Sequence, residues 1–279
     1  MDNRRKHNLL IDDKNDMRNG RATILFDIDG TLLSTYVGRS TLESAIAEVF
    51  SISSPNCDVE FSGRTDRSIV SEILRLNRIE VNESTFRAVR DQYLSALPEA
   101  IQHCRGILYP GVRELLTILK QQHPYVALVA MTGNFEEAAW VKLNHFELSG
   151  FFEMVIGGEN DHHRNELANR AVSEVKGLWC RERITNSDFL PEVEVEVEKE
   201  GWVTENQSHD IQDEREATCG RLVVIGDTPA DIQCAKAIGA KSVAVLTGGC
   251  DADELYREGP DHMFVDLSDS DKVISALLD

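Results

Sequence analysis

Two aspartates stand two residues apart in Phe26-Asp27-Ile28-Asp29-Gly30-Thr31-Leu32, where a short apolar run ends. In extended chain such positions face the same way, so both carboxylates leave the strand tip on one side. Carboxylates that close repel unless a proton or a cation intervenes. Mg²⁺ suits the pair, because a hard cation takes oxygen ligands and keeps several waters. Gly30 permits an unusual backbone turn directly after the acids. Asp-Gly is also a common turn pair, so a plain turn leaving a strand competes with the metal reading.

Three further pieces have chemical content. Ile225-Gly226-Asp227-Thr228-Pro229-Ala230-Asp231 also follows an apolar run. Asp227 falls at the strand tip, Pro229 suits a helix's first turn, and Asp231 lies in that turn. Capping by Asp227 or Thr228, with Asp231 favouring the helix dipole, is the alternative use. Met131-Thr132-Gly133-Asn134 sets a hydroxyl and free amides at a strand–helix junction, which makes either a phosphate seat or an ordinary helix cap. Gly157-Gly158-Glu159-Asn160-Asp161-His162-His163-Arg164 brings Arg164 to the start of a helix. There it can offset carboxylate and phosphoryl charge, or sit as a surface cation. Without a Cys or third His at ligand spacing, His162 and His163 read as loop residues.

These residues need a scaffold that brings them together. Buried-strand runs occur at Ile24–Phe26, Val126–Met131, Met154–Ile156, Leu222–Ile225, Ser242–Leu246 and Met263–Val265. Helical patterns fill most gaps: Gly111–Gln121, Glu136–Phe146, Asn165–Leu178 and Pro229–Ile238. Strands alternating with helices predict an α/β fold, a parallel sheet with helices on both faces. Ligands then bind outside the carboxyl ends of the strands.

Two intervals interrupt the alternation. Residues 36–106 show only helical periodicity, at Ser40–Phe50, Asp66–Asn77 and Glu83–Leu97. That is far longer than a typical connection, and it predicts an inserted all-helical cap subdomain at the mouth of the sheet. The core is then 21–35 together with 107–279. A second insertion runs from about 181 to 218, with ten acids between Glu192 and Glu216 against Lys199 and Arg215. Its alternating Val193, Val195 and Val197 fit a marginal hairpin, and its composition fits a solvated acidic loop. Residues 1–20 carry charges and almost no apolar periodicity, and read as a flexible tail.

Composition narrows the function classes. The chain has 279 residues, 42% hydrophobic and 28% charged, which suits a globular protein. Its 29 basic and 48 acidic residues give a net charge of −19, which repels nucleic acid phosphates. An anionic substrate then needs local help from a metal ion or helix amino ends. Val126–Met131 is the longest clean apolar run, far short of the ~20 residues a spanning helix needs, so no membrane partner is expected. Met1–Gly20 lacks the form of a secretory leader. The six cysteines, Cys57, Cys104, Cys180, Cys219, Cys234 and Cys250, form no C-x-x-C pair and read as reduced thiols in a cytoplasmic setting.

Taken in order, the four pieces resemble the haloacid dehalogenase superfamily, from about Ala22 to Leu246. The position of the helical insertion is similar to that of members with a helical cap, such as phosphoglycolate phosphatase-like enzymes. Phe61-Ser62-Gly63-Arg64-Thr65-Asp66 looks like a cap segment of that group, with Arg64 either reaching a substrate or held in a salt bridge. The resemblance implies a Rossmann-like core. It implies Asp27 as nucleophile forming an aspartyl-phosphate, and Asp29 as the acid and base that protonates the leaving oxygen and then activates water. It implies Mg²⁺ held by Asp27, by Asp227 and by Asp29 through its backbone carbonyl, with Asp231 in support.

By the same resemblance, Thr132, Gly133 and Asn134 bind the phosphoryl group. Arg164 stands where the family more often has Lys, with Arg170 and Lys176 as competitors. Asp29 favours phosphate esters over carbon–halogen bonds, because dehalogenases proper lack an acid there. The expected substrate is a small phosphorylated metabolite. A phosphomutase or phosphotransferase on the same scaffold, or a non-catalytic binding protein using the acidic insertion, are the rival readings. Oligomeric state is not legible in the sequence.

Overall fold

The computed structural model describes residues 21–185 and 220–279. The tail at 1–20 and nearly all of the acidic insertion, 186–219, lie outside the described residues. Six parallel strands form one sheet in the order β5-β4-β1-β6-β7-β8. They are β1 (Ala22–Phe26), β4 (Val126–Met131), β5 (Met154–Ile156), β6 (Arg221–Gly226), β7 (Lys241–Val245) and β8 (His262–Phe264). Two short strands, β2 (Leu33–Ser34) and β3 (Ile107–Leu108), pair antiparallel at the base of the helical insertion. At two residues each they carry no readable periodicity, and the sequence does not predict them.

The core strands are apolar along their length because both sheet faces are covered. The period of two divides their side chains between two clusters. Ile24, Phe26, Leu128, Ala130, Val223 and Ile225 face one way. They meet α4 (Val112–Gln122), α5 (Glu136–His145) and α9 (Ser270–Leu278) through Leu115, Leu116, Leu143, Val273 and Leu277. Leu25, Val129, Met131 and Val224 face the other way. There they meet α6 (Arg164–Thr185) and α7 (Pro229–Ala237) through Leu167, Ala171, Val175, Cys234 and Ala235. Helices on both faces of a parallel sheet make a Rossmann-like α/β core. The short α8 (Ala252–Arg257) precedes β8.

The insertion holds three helices, α1 (Gly38–Phe50), α2 (Asp66–Leu76) and α3 (Glu83–Gln102). Local chemistry sets their starts. Thr65 caps α2 by accepting from the Ser68 N–H, and Asn82 forms a capping box with Thr85 at the head of α3. Their apolar faces build a separate core around Ile46, Ile73, Leu74, Val89 and Leu97, which also takes in Phe135 and Ala138 of the sheet domain. Helix α6 is longer than the pattern Asn165–Leu178 predicts, and residues 181–185 of the expected acidic insertion continue it.

Candidate active site

Strand order explains how distant residues meet. In the register, Phe26 pairs with Ala130 on one side and Ile225 on the other. Asp27 therefore leaves the central strand between Thr132 at the end of β4 and Asp227 at the end of β6. The Asp27 N–H donates to Ile225 O at 2.9 Å, and the Thr132 N–H to Ile156 O at 3.1 Å, which fixes both strand ends. Gly30 turns the chain at φ +91°, and a Cβ there would lie 2.3 Å from Asp227 Oδ2. Only glycine allows both that conformation and that approach.

The side chains of Asp27, Asp227 and Asp231 offer carboxylate oxygens within 4.8 Å of one another, and all three are buried. Asp227 Oδ1 accepts from the Thr31 hydroxyl at 2.9 Å. Asp231 closes a capping box on α7 by accepting from Thr228 N at 3.1 Å and Thr228 Oγ1 at 2.6 Å. Thr228 thus caps the helix, as sequence allows, while Asp231, expected there to favour the dipole, completes the box and also joins the acid cluster. Arg164 is the cation beside them. Its Nη2 lies 3.2 Å from Asp27 Oδ1 and also bonds Asp231 Oδ1. Its Nε is buried with no partner among the described residues. Arg170, the competitor, is instead committed to Asp161, Glu174 and the Gly157 carbonyl.

The electrostatics are those of an anionic pocket short of positive charge. Burial raises Asp27 to about 7; Arg164 lowers it, while Asp231 and Asp29 raise it further. Burial likewise raises Asp227 to about 8, aided by Asp27 and Asp231. Burial opposes the charge on Arg164, but Asp231 and Asp27 more than offset this and hold it above its ordinary range. With all three carboxylates ionised, one guanidinium leaves two negative charges unbalanced, which is the condition a bound cation would favour. Hard oxygen donors in that number and at that spacing fit a divalent cation of the Mg²⁺ class.

Asp29 does not point into this cluster. Its Oδ2 accepts from Asn134 Nδ2 at 2.7 Å and pairs with Lys142 Nζ at 2.5 Å. Lys142 also donates to Asn134 Oδ1 at 2.6 Å, and Asn134 Nδ2 donates to Thr132 Oγ1 at 2.7 Å. Sequence analysis missed Lys142. The signal was a lysine among Ala138, Ala139 and Leu143, on the buried stripe of α5, where a lysine needs a buried partner.

A cavity of about 340 Å³ opens over both groups. Asp27, Asp29, Thr132, Asn134, Lys142 and Arg164 line it from the sheet side, and Phe61, Arg64, Asp66 and Tyr93 from the insertion. The insertion meets the strand ends directly: the Asp66 N–H donates to Gly133 O at 2.7 Å, and the Phe135 N–H to Asp66 Oδ2 at 2.8 Å. A Cβ on Gly133 would lie 2.0 Å from Arg64 O, so the seam is backbone-close. Burial raises Asp66 to about 6. The Arg64 guanidinium pairs with Glu72 at 2.6 Å, the salt-bridge alternative that sequence left open. His162 and His163 bind Glu166 through their backbone N–H groups, as loop residues do.

Comparison with known proteins gives a consistent relation. A family model described as haloacid dehalogenase-like hydrolase matches residues 24–177, and a second, HAD-hydrolase-like, matches 207–270. A phosphoglycolate phosphatase from Pseudomonas putida is 22% identical over 251 residues, 88% of this chain and 76% of that protein. Among solved structures, a predicted phosphatase from Clostridium acetobutylicum matches with TM-score 0.57 at 17% identity, over 92% of this chain and 99% of its own. A protein described as a β-phosphoglucomutase from Bacteroides vulgatus matches with TM-score 0.55 at 19% identity, over 93% and 89%. At such identities these structures speak for the fold alone.

Proposed function

We propose that this chain, which belongs to the haloacid dehalogenase-like hydrolases, is a Mg²⁺-dependent phosphatase of small phosphomonoesters working through an aspartyl-phosphate on Asp27. The observation that carries this reading is the buried cluster of Asp27, Asp227 and Asp231 around Arg164, with Asp29 beside it in one cavity. Asp27, Asp227 and the backbone carbonyl of Asp29 would hold the metal, with Asp231 in support. When bound, the ion supplies the positive charge that lets an anionic ester enter this acidic pocket.

The protein's own residues do the rest. Asp27 attacks phosphorus, and the ester P–O bond breaks as the Asp27 O–P bond forms. Asp29 gives its proton to the departing oxygen, then takes one back from the water that hydrolyses the acyl phosphate. Thr132 and the amides near Gly133 and Asn134 seat the phosphoryl oxygens. Arg164 Nε, buried and without a partner among the described residues, is a donor available to the same group. The insertion covers the cavity as a cap and excludes water.

The substrate is a small phosphorylated metabolite. Cys57, Cys104, Cys234 and Cys250 are free thiols, and among the described residues no helix is long and apolar enough to cross a membrane, which supports a cytoplasmic setting. The test is phosphate release from a panel of phosphorylated metabolites with and without Mg²⁺. Release that stops with chelator is expected. Transfer of the phosphoryl group to a sugar hydroxyl, with no free phosphate, would replace hydrolysis by the mutase reading. No turnover on any ester would overturn both.

A further inference from the structure

The network around Asp29 separates its two carboxylate oxygens. Oδ2 is held by Asn134 Nδ2 and Lys142 Nζ, whereas Oδ1 has no hydrogen-bond partner among the described residues. The Asp29 side chain is 40% exposed and lines the cavity, so without a clamp water would let it turn freely. The Lys142 side chain is only 4% exposed. Burying an ammonium in that way is costly unless its donors are matched, and its acceptors among the described residues, Asp29 Oδ2 and Asn134 Oδ1, belong to the site.

The amide of Asn134 gives the network a direction. Its Nδ2 serves Asp29 and Thr132 while its Oδ1 accepts from Lys142. A flipped amide would set NH₂ against ammonium and its oxygen against the Asp29 carboxylate, and lose both of those bonds. Lys142 therefore orients Asn134 and, through both contacts, Asp29. We propose that Lys142 is a positioning residue that, with Asn134, immobilises Asp29 Oδ2 and so dedicates Oδ1 to proton exchange with the leaving group and the water. This rests on the phosphatase reading above.

The proton balance follows. Oδ1–H passes its proton to the ester oxygen as the P–O bond breaks and the Asp27 O–P bond forms. In the second step ionised Oδ1 takes a proton from water as the water O–P bond forms and the Asp27 O–P bond breaks. Lys142 keeps all its protons throughout.

The experiment compares Lys142→Met with wild type on two substrates. One is p-nitrophenyl phosphate, whose weakly basic leaving group needs little protonation. The other is the alkyl phosphate turned over fastest in the metabolite panel. Because kcat/KM reports the steps through leaving-group departure, Lys142→Met should lower it ~10²-fold for the alkyl ester, the scale of a lost acid–base contribution, and roughly tenfold less for the aryl ester. Hydrolysis of the shared acyl phosphate also uses Asp29, so kcat should fall for both. Lys142→Arg, which keeps a cationic donor, should recover part of the alkyl activity. A merely structural role would lower kcat/KM equally for both esters, and that result overturns the inference, as does no change in either. If Lys142→Met fails to fold, Lys142→Gln carries the same comparison. Wild type that cleaves neither ester overturns the phosphatase reading itself; wild type that cleaves both with no selective loss in the variant overturns only the role of Lys142.

Discussion

Two groups of acids stand at the same end of the sheet and are balanced in opposite ways. Asp27, Asp227 and Asp231 share one guanidinium, and burial pushes Asp27 and Asp227 toward neutral pH and above. Asp29 alone is matched by the Lys142 ammonium and the Asn134 amide. The first group needs either protons or an outside cation to balance its charge. The second is closed by the protein's own side chains. On the proposed reading, binding of charge and movement of a proton are thus kept apart, although Asp27 and Asp29 are neighbours but one in sequence. A single metal-centred cluster of all the aspartates would have tied the acid–base group to the ion and cost it its freedom to exchange protons.

The contrast can be broken most severely at its centre. Asp27→Asn keeps the size of the side chain but removes the proposed nucleophile, and phosphate release should fall to background. A variant that retains full turnover would remove Asp27 from the chemistry. Asp29→Ala leaves the first group intact and should slow hydrolysis by ~10²-fold or more, read as kcat under saturating Mg²⁺. An unchanged rate would assign the proton work elsewhere.

The same contrast predicts how stability follows pH. Asp27 and Asp227 bind protons more tightly folded, at about 7 and 8, than the usual carboxylate value of 3.8. The folded state then holds more protons than the unfolded one across that interval, so metal-free stability should fall as pH rises from about 4 to 8. A divalent cation favours the ionised forms, so the rise in Tm on adding Mg²⁺ should be larger at pH 8 than at pH 5. An equal rise at both would mean that the ion is not bound at these carboxylates.

The smallest effect belongs to the seam between insertion and sheet. Asp66, raised to about 6, has the same sign, so its contribution to stability should fall between about pH 4 and 6. Asp66→Asn can still accept from the Phe135 N–H and should remove that part of the slope, of the order of 1–3 kcal/mol, in denaturant titrations at the two pH values.

What was legible in the sequence was what is local. Val126–Met131 and Met154–Ile156 read as strands with the bounds they have, because a fully buried parallel strand is a continuous apolar run. The placement of Asp27 and Asp227 at strand ends followed from the same runs. Lys142 was only half legible: its place among Ala138, Ala139 and Leu143 marks a buried lysine, but its partner Asp29 lies 113 residues away and the stripe carries no mark of what it meets. Asp231 shows a different limit: its place in the first turn of α7 is written in the local motif, whereas its bond to Arg164 depends on how α6 docks beside α7. Arg64 had two possible uses, and only the position of Glu72 on α2 decides where its guanidinium rests.

The central strand has a consequence for synthesis. β1 leaves the ribosome early, but its neighbour β6 begins about 200 residues later, at Arg221. Until β6 arrives, one edge of the fully buried β1 strand has no partner, and an uncovered edge of that kind invites wrong pairing. The nascent chain must therefore keep Ile24 and Phe26 shielded through most of its elongation, and the catalytic pocket is among the last features to come into being.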